Sequence, residues 1–392
     1  MILNKICLKV KDPRKQRGKR YVIDAAINMC IAGLVANRNT LKGIWSYCKE
    51  LTTKQRIRLK LPSGKIMCYS NFTLIVRRLN PVNIQNGINT YLSEMRRFEK
   101  HLNKITTHNN EDNTNKRINN LEHWHTDGKT IRGSASRGNL ARKMLSAYSK
   151  TDRIVVNHEI IQNHDEAKAM LNLIEGCSSL SNKLITGDAI FLNSAICDVI
   201  TKKNGHFLFT LKDNRKRLKR DVLVAFKYAA SQEKLKQKSI IRRYNEDASL
   251  TSGRIEQRFI DVIDMPWKYE NGYSAIKQIC KIIRHRNIKG TEKRSTEIVF
   301  VVTSLNKDEA SAKDLLALNR QHWSVENNLH WIKDVVFKED ESKVSEDNGP
   351  AVFSLLRGFA AFILSNFSKS ITEMRRWFSM TRSRVIKLFP AI

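Results

Sequence analysis

Acidic residues are scarce in this chain. Thirty-eight Asp and Glu stand against 70 Lys and Arg, a formal charge of +32 over 392 residues. An imbalance of that size repels itself and does little for folding, so it points to a polyanionic partner whose counterions are released on binding. Cysteines are few and scattered, seven in all with no CxxC pair. That pattern excludes a zinc knuckle and a paired disulfide framework, and suits reduced thiols in the cytosol. Long hydrophobic runs are missing too. The most apolar windows, Tyr21–Ala36 and Ala351–Leu364, are broken by Asp24 and Arg357. Both fall short of the roughly 18 residues a membrane helix needs, so no membrane partner is expected. The opening MILNKICLKVKDPRKQRGKR lacks the apolar core of a signal peptide. There is no internal repeat and no long low-complexity block.

What is present falls into successive patterns. Residues 1–20 read as a basic, extended arm whose Arg14, Lys15, Arg17, Lys19 and Arg20 could touch phosphate. From Tyr21 to about Lys100 the spacing is helical, which predicts an all-α N-terminal domain over 1–100. VIDAAINMCIAGLVA reads as a buried helix, and Thr40 as the cap of LKGIWSYCKEL. Ser70 or Asn71 is the expected cap of NFTLIVRRLN, and a further helix is expected from Val82 to Phe98. The basic pair Arg77–Arg78 among small helices fits a helix-turn-helix module as well as it fits structural support. Residues 101–119 are polar and read as a linker.

The pattern then changes to three strands (LEHWHTD, KMLSAYS, RIVVNHEIIQ), a helix from Asp165, a strand KLITGD, a helix over Leu192–Lys203 and a strand HFLFTLK. This order predicts an α/β fold, a mixed sheet with flanking helices, over about 120–345. A β-rich insertion is expected near 215–300, with strands RIEQRFIDVID, AIKQICKIIRH and STEIVFVVTSL. Lys307–Arg320 and Trp323–Val335 return to helix. A helical, basic tail over 346–392 closes the chain, with an apolar helix at Ala351–Phe367.

Three acids stand out. Asp127 ends the first strand beside Gly128, with Lys129 and Arg132 just after it. Asp188 ends the fourth strand. Glu326 sits among Trp323, Val325, Leu329 and Trp331, an apolar setting that favours a site or a buried partner over a solvated face. Displacement at a phosphodiester needs an activated oxygen and a stabilised leaving oxygen, which two divalent ions held by carboxylates provide. Mg²⁺ suits such a site, with Mn²⁺ as substitute, because it takes few protein carboxylates and keeps positions for water and substrate. Taken singly, Asp127 also reads as a turn acid and Asp188 as a helix cap.

The three segments resemble the signatures of the H-repeat-associated family of insertion-sequence transposases. TDGKTIRGS resembles the family's first block, LITGDAIF with GHFLFTLKDN its second, and RQHWSVENNLHWIKDVVFKED its third. SGRIEQR and DPRKQRGKRYVID are similar to further family stretches, so the resemblance covers nearly the whole chain. Asn319 and His322 stand where related transposases outside the family carry Tyr and Arg. The resemblance implies a ribonuclease-H-like DDE catalytic domain with Asp127, Asp188 and Glu326 as catalytic and metal-binding triad. It implies DNA as partner (element terminal repeats and target DNA), a homodimer or higher oligomer on paired ends, and a place in the bacterial cytosol or nucleoid. Lys129, Arg132, Lys212, Asn214, Arg254 and Lys333 lie in or near matched blocks and are the expected DNA contacts. Trp323, His330 and Trp331 are candidates for base stacking, with a core role the commoner one for each tryptophan. Asp334 is the expected supporting acid. A metal-dependent nuclease without strand transfer, a transposase-derived DNA-binding protein without activity, and a structural or RNA-binding basic protein are the alternatives.

Overall fold

The computed structural model describes residues 10, 12, 14, 19–106, 121–136, 140–236, 239–251, 253–266, 273–288, 291, 294–322 and 326–390. Most of the N-terminal arm, linker residues 107–119 and Trp323 lie outside the described residues. The chain divides into two compact units, each built from separated segments. The first holds 1–112, 128–160 and 326–392. The second holds 113–127 and 161–325.

In the first unit five helices precede any described strand: α1 (Ile23–Val35), α2 (Leu41–Lys49), α3 (Thr53–Arg58), α4 (Tyr69–Arg78) and α5 (Pro81–Thr106). α1 is apolar around almost its whole circumference and is buried along it, as its sequence requires. Thr40 caps α2 by accepting from the Gly43 N–H at 3.0 Å. α3 was not anticipated. A capping box starts it, Thr52 and Gln55 exchanging side-chain-to-backbone bonds. α4 begins at Tyr69, before the expected Ser70 or Asn71 cap. α5 starts on its proline, which needs no N–H there, and runs past Phe98 to Thr106. Pro62–Gly64 forms a tight turn, with positive φ at Ser63 and Gly64.

The strands are β1 (Glu122–Ile131), β2 (Arg142–Ser149), β3 (Ile154–Ile161), β4 (Lys183–Gly187), β5 (His206–Leu211), β6 (Arg242–Thr251), β7 (Arg254–Asp264), β8 (Gln278–Ile288) and β9 (Arg294–Thr303). Their hydrogen-bonded order is β3-β2-β1-β4-β5-β9-β8-β7-β6, a nine-stranded mixed sheet. β1 contributes residues to both units. It does not end on Asp127 as the Gly128 position suggested. β-branched Thr130 and buried Ile131 carry the extended backbone four residues further. In the first unit, α5 blunts the free edge of β3: Gln85 and Asn89 donate to the Val155 and Val156 carbonyls at 2.9 and 3.0 Å.

In the second unit β4 and β5 run parallel, and β5, β9, β8, β7 and β6 follow antiparallel. Its helices are α6 (Glu166–Glu175), α7 (Ser194–Lys202), α8 (Lys216–Lys236) and α9 (Ala312–His322). The segment expected to be a β-rich insertion therefore opens on a 21-residue helix. Its strands extend the sheet from β5 outwards. β6 was unexpected because RRYNEDASLT has almost no apolar alternation. It is an outermost strand, held by backbone pairing to β7. Leu184, Leu208, Ile260, Val262, Cys280, Val301, Leu315 and Leu316 form a core in this unit.

After α9 the backbone takes two wide, π-type turns, Glu326–His330 and Ile332–Val336, in place of a regular helix. α10 (Gly349–Ser365) is buried nearly end to end and packs on α1, α4 and α5 within the first unit. α11 (Ile371–Met380) and α12 (Arg382–Ile386) complete it. Among the described residues six cysteines are free, and no helix is long and apolar enough to cross a membrane.

Arg375 on α11 is buried, yet its guanidinium is well used. It donates to the carbonyls of Leu34 (3.1 Å) and Val336 and to the Asn39 amide oxygen (2.6 Å), and lies 4.2 Å over the Phe337 ring. Removing it orphans three acceptors, each worth about 1–3 kcal/mol when left unsatisfied. Arg375→Met should therefore lower unfolding free energy by about 3 kcal/mol or more in urea titration, whereas exposed Arg376→Met should leave it within about 0.5 kcal/mol.

Candidate active site

Two of the candidate acids belong to the second unit and follow one strand register. β1 and β4 pair in parallel with Glu122 opposite Lys183 and His125 opposite Thr186. Two residues further along each chain stand Asp127 and Asp188. Equal spacing keeps them on one face of neighbouring strands about 4.8 Å apart. The ground beneath them is tightly fixed. Thr126 donates to the Thr186 carbonyl at 2.9 Å. Gly187 has no room for a side chain: a Cβ there would stand 2.6 Å from Phe191 and 2.8 Å from the Thr126 hydroxyl. The Thr186 hydroxyl joins His125 Nδ1 at 2.7 Å to His322 Nδ1 at 3.1 Å, a buried relay across three elements. Sequence reasoning missed this relay. Its available signal was the alternation of His123 and His125 with Asp127, which places all three on one strand face.

Asp188 opens the short turn Ala189–Phe191. The segment after β5 clamps that turn. Asn214 donates to the Ala189 carbonyl at 2.9 Å and Arg215 to the Leu192 carbonyl at 2.5 Å. Lys212 reaches Asp188 itself at 2.9 Å. Burial raises the Asp188 pKa, but the Lys212 hydrogen bond, the Ala189 N–H and the charges of Lys212 and His322 outweigh it and hold the carboxyl below its usual range. Asp188 is thus an anion at neutral pH, and the Lys212 ammonium already marks it as a cation site. Lys212 and Asp188 are both more than half exposed, so their pair adds little stability and separates readily. Burial lowers the His322 pKa, partly offset by Asp188. His322 is therefore neutral at pH 7, and the relay fixes orientation by its hydrogen bonds.

The first unit holds the other candidates. Glu326 is exposed at the start of the π-type stretch. Lys333 is not a phosphate contact. It is 1% exposed and donates to the Ser354 hydroxyl at 3.0 Å, and burial lowers its pKa to about 8. His330 is buried and cannot stack on a base, and burial depresses its pKa to about 3. Trp331, by contrast, is 52% exposed and not in the core.

Lys129 also departs from expectation. Its ammonium is turned inward, paired with Asp334 and, at 3.1 Å, with the fully buried Glu339. Arg357 on α10 approaches Glu339 from another side at 3.5 Å. Burial raises the Glu339 pKa, but Lys333, Arg357 and Lys129 together pull it well below the usual glutamate range. Asp334, expected as a supporting acid, supports Lys129. Arg132 keeps its expected availability, being 79% exposed with Asp340 at 3.8 Å. Next to it Gly133 touches the chain at Ser342, whose carbonyl would stand 2.1 Å from any Cβ. In the second unit Arg254 is exposed at the start of β7.

The donor chemistry at Asp127 and Asp188, hard carboxylate oxygens, fits a divalent cation of the Mg²⁺ class. Among the described residues no group of three or more His, Cys, Asp or Glu converges on one point.

Residues 105–363 match the family model described as transposase DDE domain. Among curated proteins the chain is 29% identical over 262 residues to "Putative protein YbfL" of Escherichia coli (strain K12), covering 64% of this chain and 66% of that one. The same figures hold for "H repeat-associated putative transposase YhhI" of that strain. "Putative transposase YncI" of Escherichia coli O157:H7 is 28% identical over 255 residues, 61% of this chain and 60% of that one. The matches thus span just under two thirds of those relatives' lengths. Among solved structures, a piggyBac transposase synaptic complex with hairpin DNA aligns at a TM-score of 0.39 and 11% identity, over 96% of this chain and 75% of that one. A score of that size assigns no fold.

Two outcomes follow for the buried charges. Glu339→Gln strands Lys333 and Arg357 without their counter-ion and should cost about 3–5 kcal/mol in urea titration at pH 7. Because the folded Glu339 pKa is depressed, its stabilisation is complete above about pH 4.5 and lost as pH falls toward about 2. The wild type should therefore lose stability through that window, and the variant should show a flatter acid limb in the same pH series.

Proposed function

The chain belongs to the transposase DDE domain family, and on that premise we propose that it is a DNA transposase. It cleaves strands at the ends of an insertion sequence and joins them to target DNA, with Asp127, Asp188 and Glu326 as its acids. The observation that supports the reading is the parallel register of β1 and β4, whose last pair, His125 and Thr186, lies two residues before Asp127 and Asp188 inside the matched domain. Glu326 enters through its sequence block, RQHWSVENNLHWIKD, and not through any distance.

In this reading Asp127, Asp188 and Glu326 hold divalent cations, and Mg²⁺ or Mn²⁺ bound there would polarise phosphate and acidify water. The chain does the rest. Asp188, held below the usual carboxylate range, would hold the cation in place of the Lys212 ammonium, and Lys212 would then be available to a phosphate. The His125–Thr186–His322 relay holds β1, β4 and the end of α9 in one geometry, so the acids need no reorganisation when DNA arrives. Arg132 and Arg254, both exposed, attract backbone phosphates. Trp331 offers an exposed ring to an unstacked base. Cleavage is attack by water oxygen on phosphorus with loss of the bridging oxygen, which leaves a 3′-hydroxyl. Joining repeats that displacement with the 3′-hydroxyl as attacking oxygen and target DNA as electrophile. One set of acids serves both steps, and no protein nucleophile is used.

The test is incubation of purified protein with DNA carrying the gene's own flanking sequences in Mg²⁺ or Mn²⁺. Nicks at the flanks and joined products are expected, with Asp188→Asn lowering both by at least about a thousandfold. Cutting that survives Asp188→Asn would sink the assignment of the acids. Cutting without joined products would identify a nuclease, and binding without cutting a DNA-binding derivative. In the same samples Arg132→Gln should weaken DNA binding and reduce its salt slope by about one unit. Lys129→Met should leave that slope unchanged.

A further inference from the structure

The outer half of the four-stranded ribbon β6–β9 has two unlike faces. The strand pairings place Glu246, Glu256 and Arg258 with Arg284, Arg286 and Glu297 on one face. They form a ladder of ion pairs there: Arg258 with Glu246 and Glu256, Arg286 with Glu256 at 3.0 Å, and Arg284 with Glu297. Arg320 of α9 joins the ladder at Glu246. These charges satisfy one another.

The opposite face is nearly uncharged and carries apolar side chains into water. Leu250 stands across from Ile255, and Ile298 across from Ile283. Leu250, Ile255 and Ile298 are 60%, 40% and 52% exposed. Closer to the core the same face is covered by α8, where Phe226 meets Phe300. From Ile298 outward the alternate residues of β9 are exposed on both faces. Exposed apolar side chains gathered on one sheet face mark a docking surface.

Charge selects the partner. Nucleic acid requires a row of cations, and the described residues of this face hold none. Its charges stand at the two flanks. Arg294 lies on β9, opposite Asn287, and Asp247 lies on β6 in the bulge opposite Gln257. They are one row apart, about 7 Å along the strands. A two-fold axis parallel to the strands sets the β6 flank of one ribbon over the β9 flank of another. Each Asp247 then faces the partner's Arg294, while the apolar rows meet between them, as in face-to-face sheet packing. We propose that this face of β6–β9 is where a second copy of the chain docks, in an isologous dimer that forms without DNA. The inference does not depend on the proposed reaction.

Light scattering after size exclusion, with nucleic acid removed, tests it at tens of micromolar protein. Wild type should show twice the chain's 45.3 kDa. Copies of charge +32 repel each other, so the dimer should tighten as salt rises, opposite to DNA binding. Ile255→Glu should weaken association by about tenfold or more, with unchanged circular dichroism and melting. Asp247→Arg should weaken it as well, and adding Arg294→Asp to that variant should restore it. A monomeric wild type overturns the proposal. So does a dimer indifferent to Ile255→Glu, or a double charge swap that fails to recover the mass.

Discussion

One carboxylate without any contact with water, Glu339, organises the first unit. Lys129, Lys333 and Arg357 all spend charge on it. An anion so placed is tolerable only with its cations, and each cation only with the anion, so the group stands or falls together. Through Lys129 the network grips the strand half that follows Asp127. Through Lys333 it grips the stretch that follows Glu326, and through Arg357 it reaches α10, the helix the unit is packed around. Apolar packing would hold those segments together at less electrostatic cost. Paired charges add direction, because each ammonium or guanidinium fits its carboxylate from one side only.

The second unit relies on a different constraint. Parallel pairing of β1 with β4 fixes which residues are neighbours, and Gly187 leaves room for Phe191 and the Thr126 hydroxyl at close quarters. A one-residue slip would turn one of the two acids to the opposite face. Register here is held by more than backbone bonds, since Thr126, Thr186 and both histidines cross-link the strands from their side chains.

Some of this was legible in the sequence. The apolar circumference of α1, the Thr40 cap and a strand leading into Asp188 each follow from a local rule, and each is found. The helix α8 was also legible in principle, since Leu218, Val222, Ala225 and Ala229 recur at helical spacing and are buried. The surrounding charge masked it. β6 was not legible, because an edge strand needs no apolar face. Lys129 and Lys333 read as surface cations because composition cannot show burial. The partner of Lys129 stands far along the chain, Asp334 lying 205 residues away. The acids were singled out through their blocks, whereas the histidine relay of the second unit depends on a third element that no local pattern names.

The first unit draws on segments from the beginning, middle and end of the chain. α1 buries 12 of its 13 residues, in part against α10, whose first residue is Gly349. During synthesis that apolar helix emerges long before its cover is made. At about 5–20 residues per second the wait is on the order of 15–60 s. For that interval the nascent chain presents an oily helix beside a strongly cationic surface, in a cell full of RNA. Such an intermediate invites premature aggregation, and its safe passage calls for a holding chaperone at the ribosome exit.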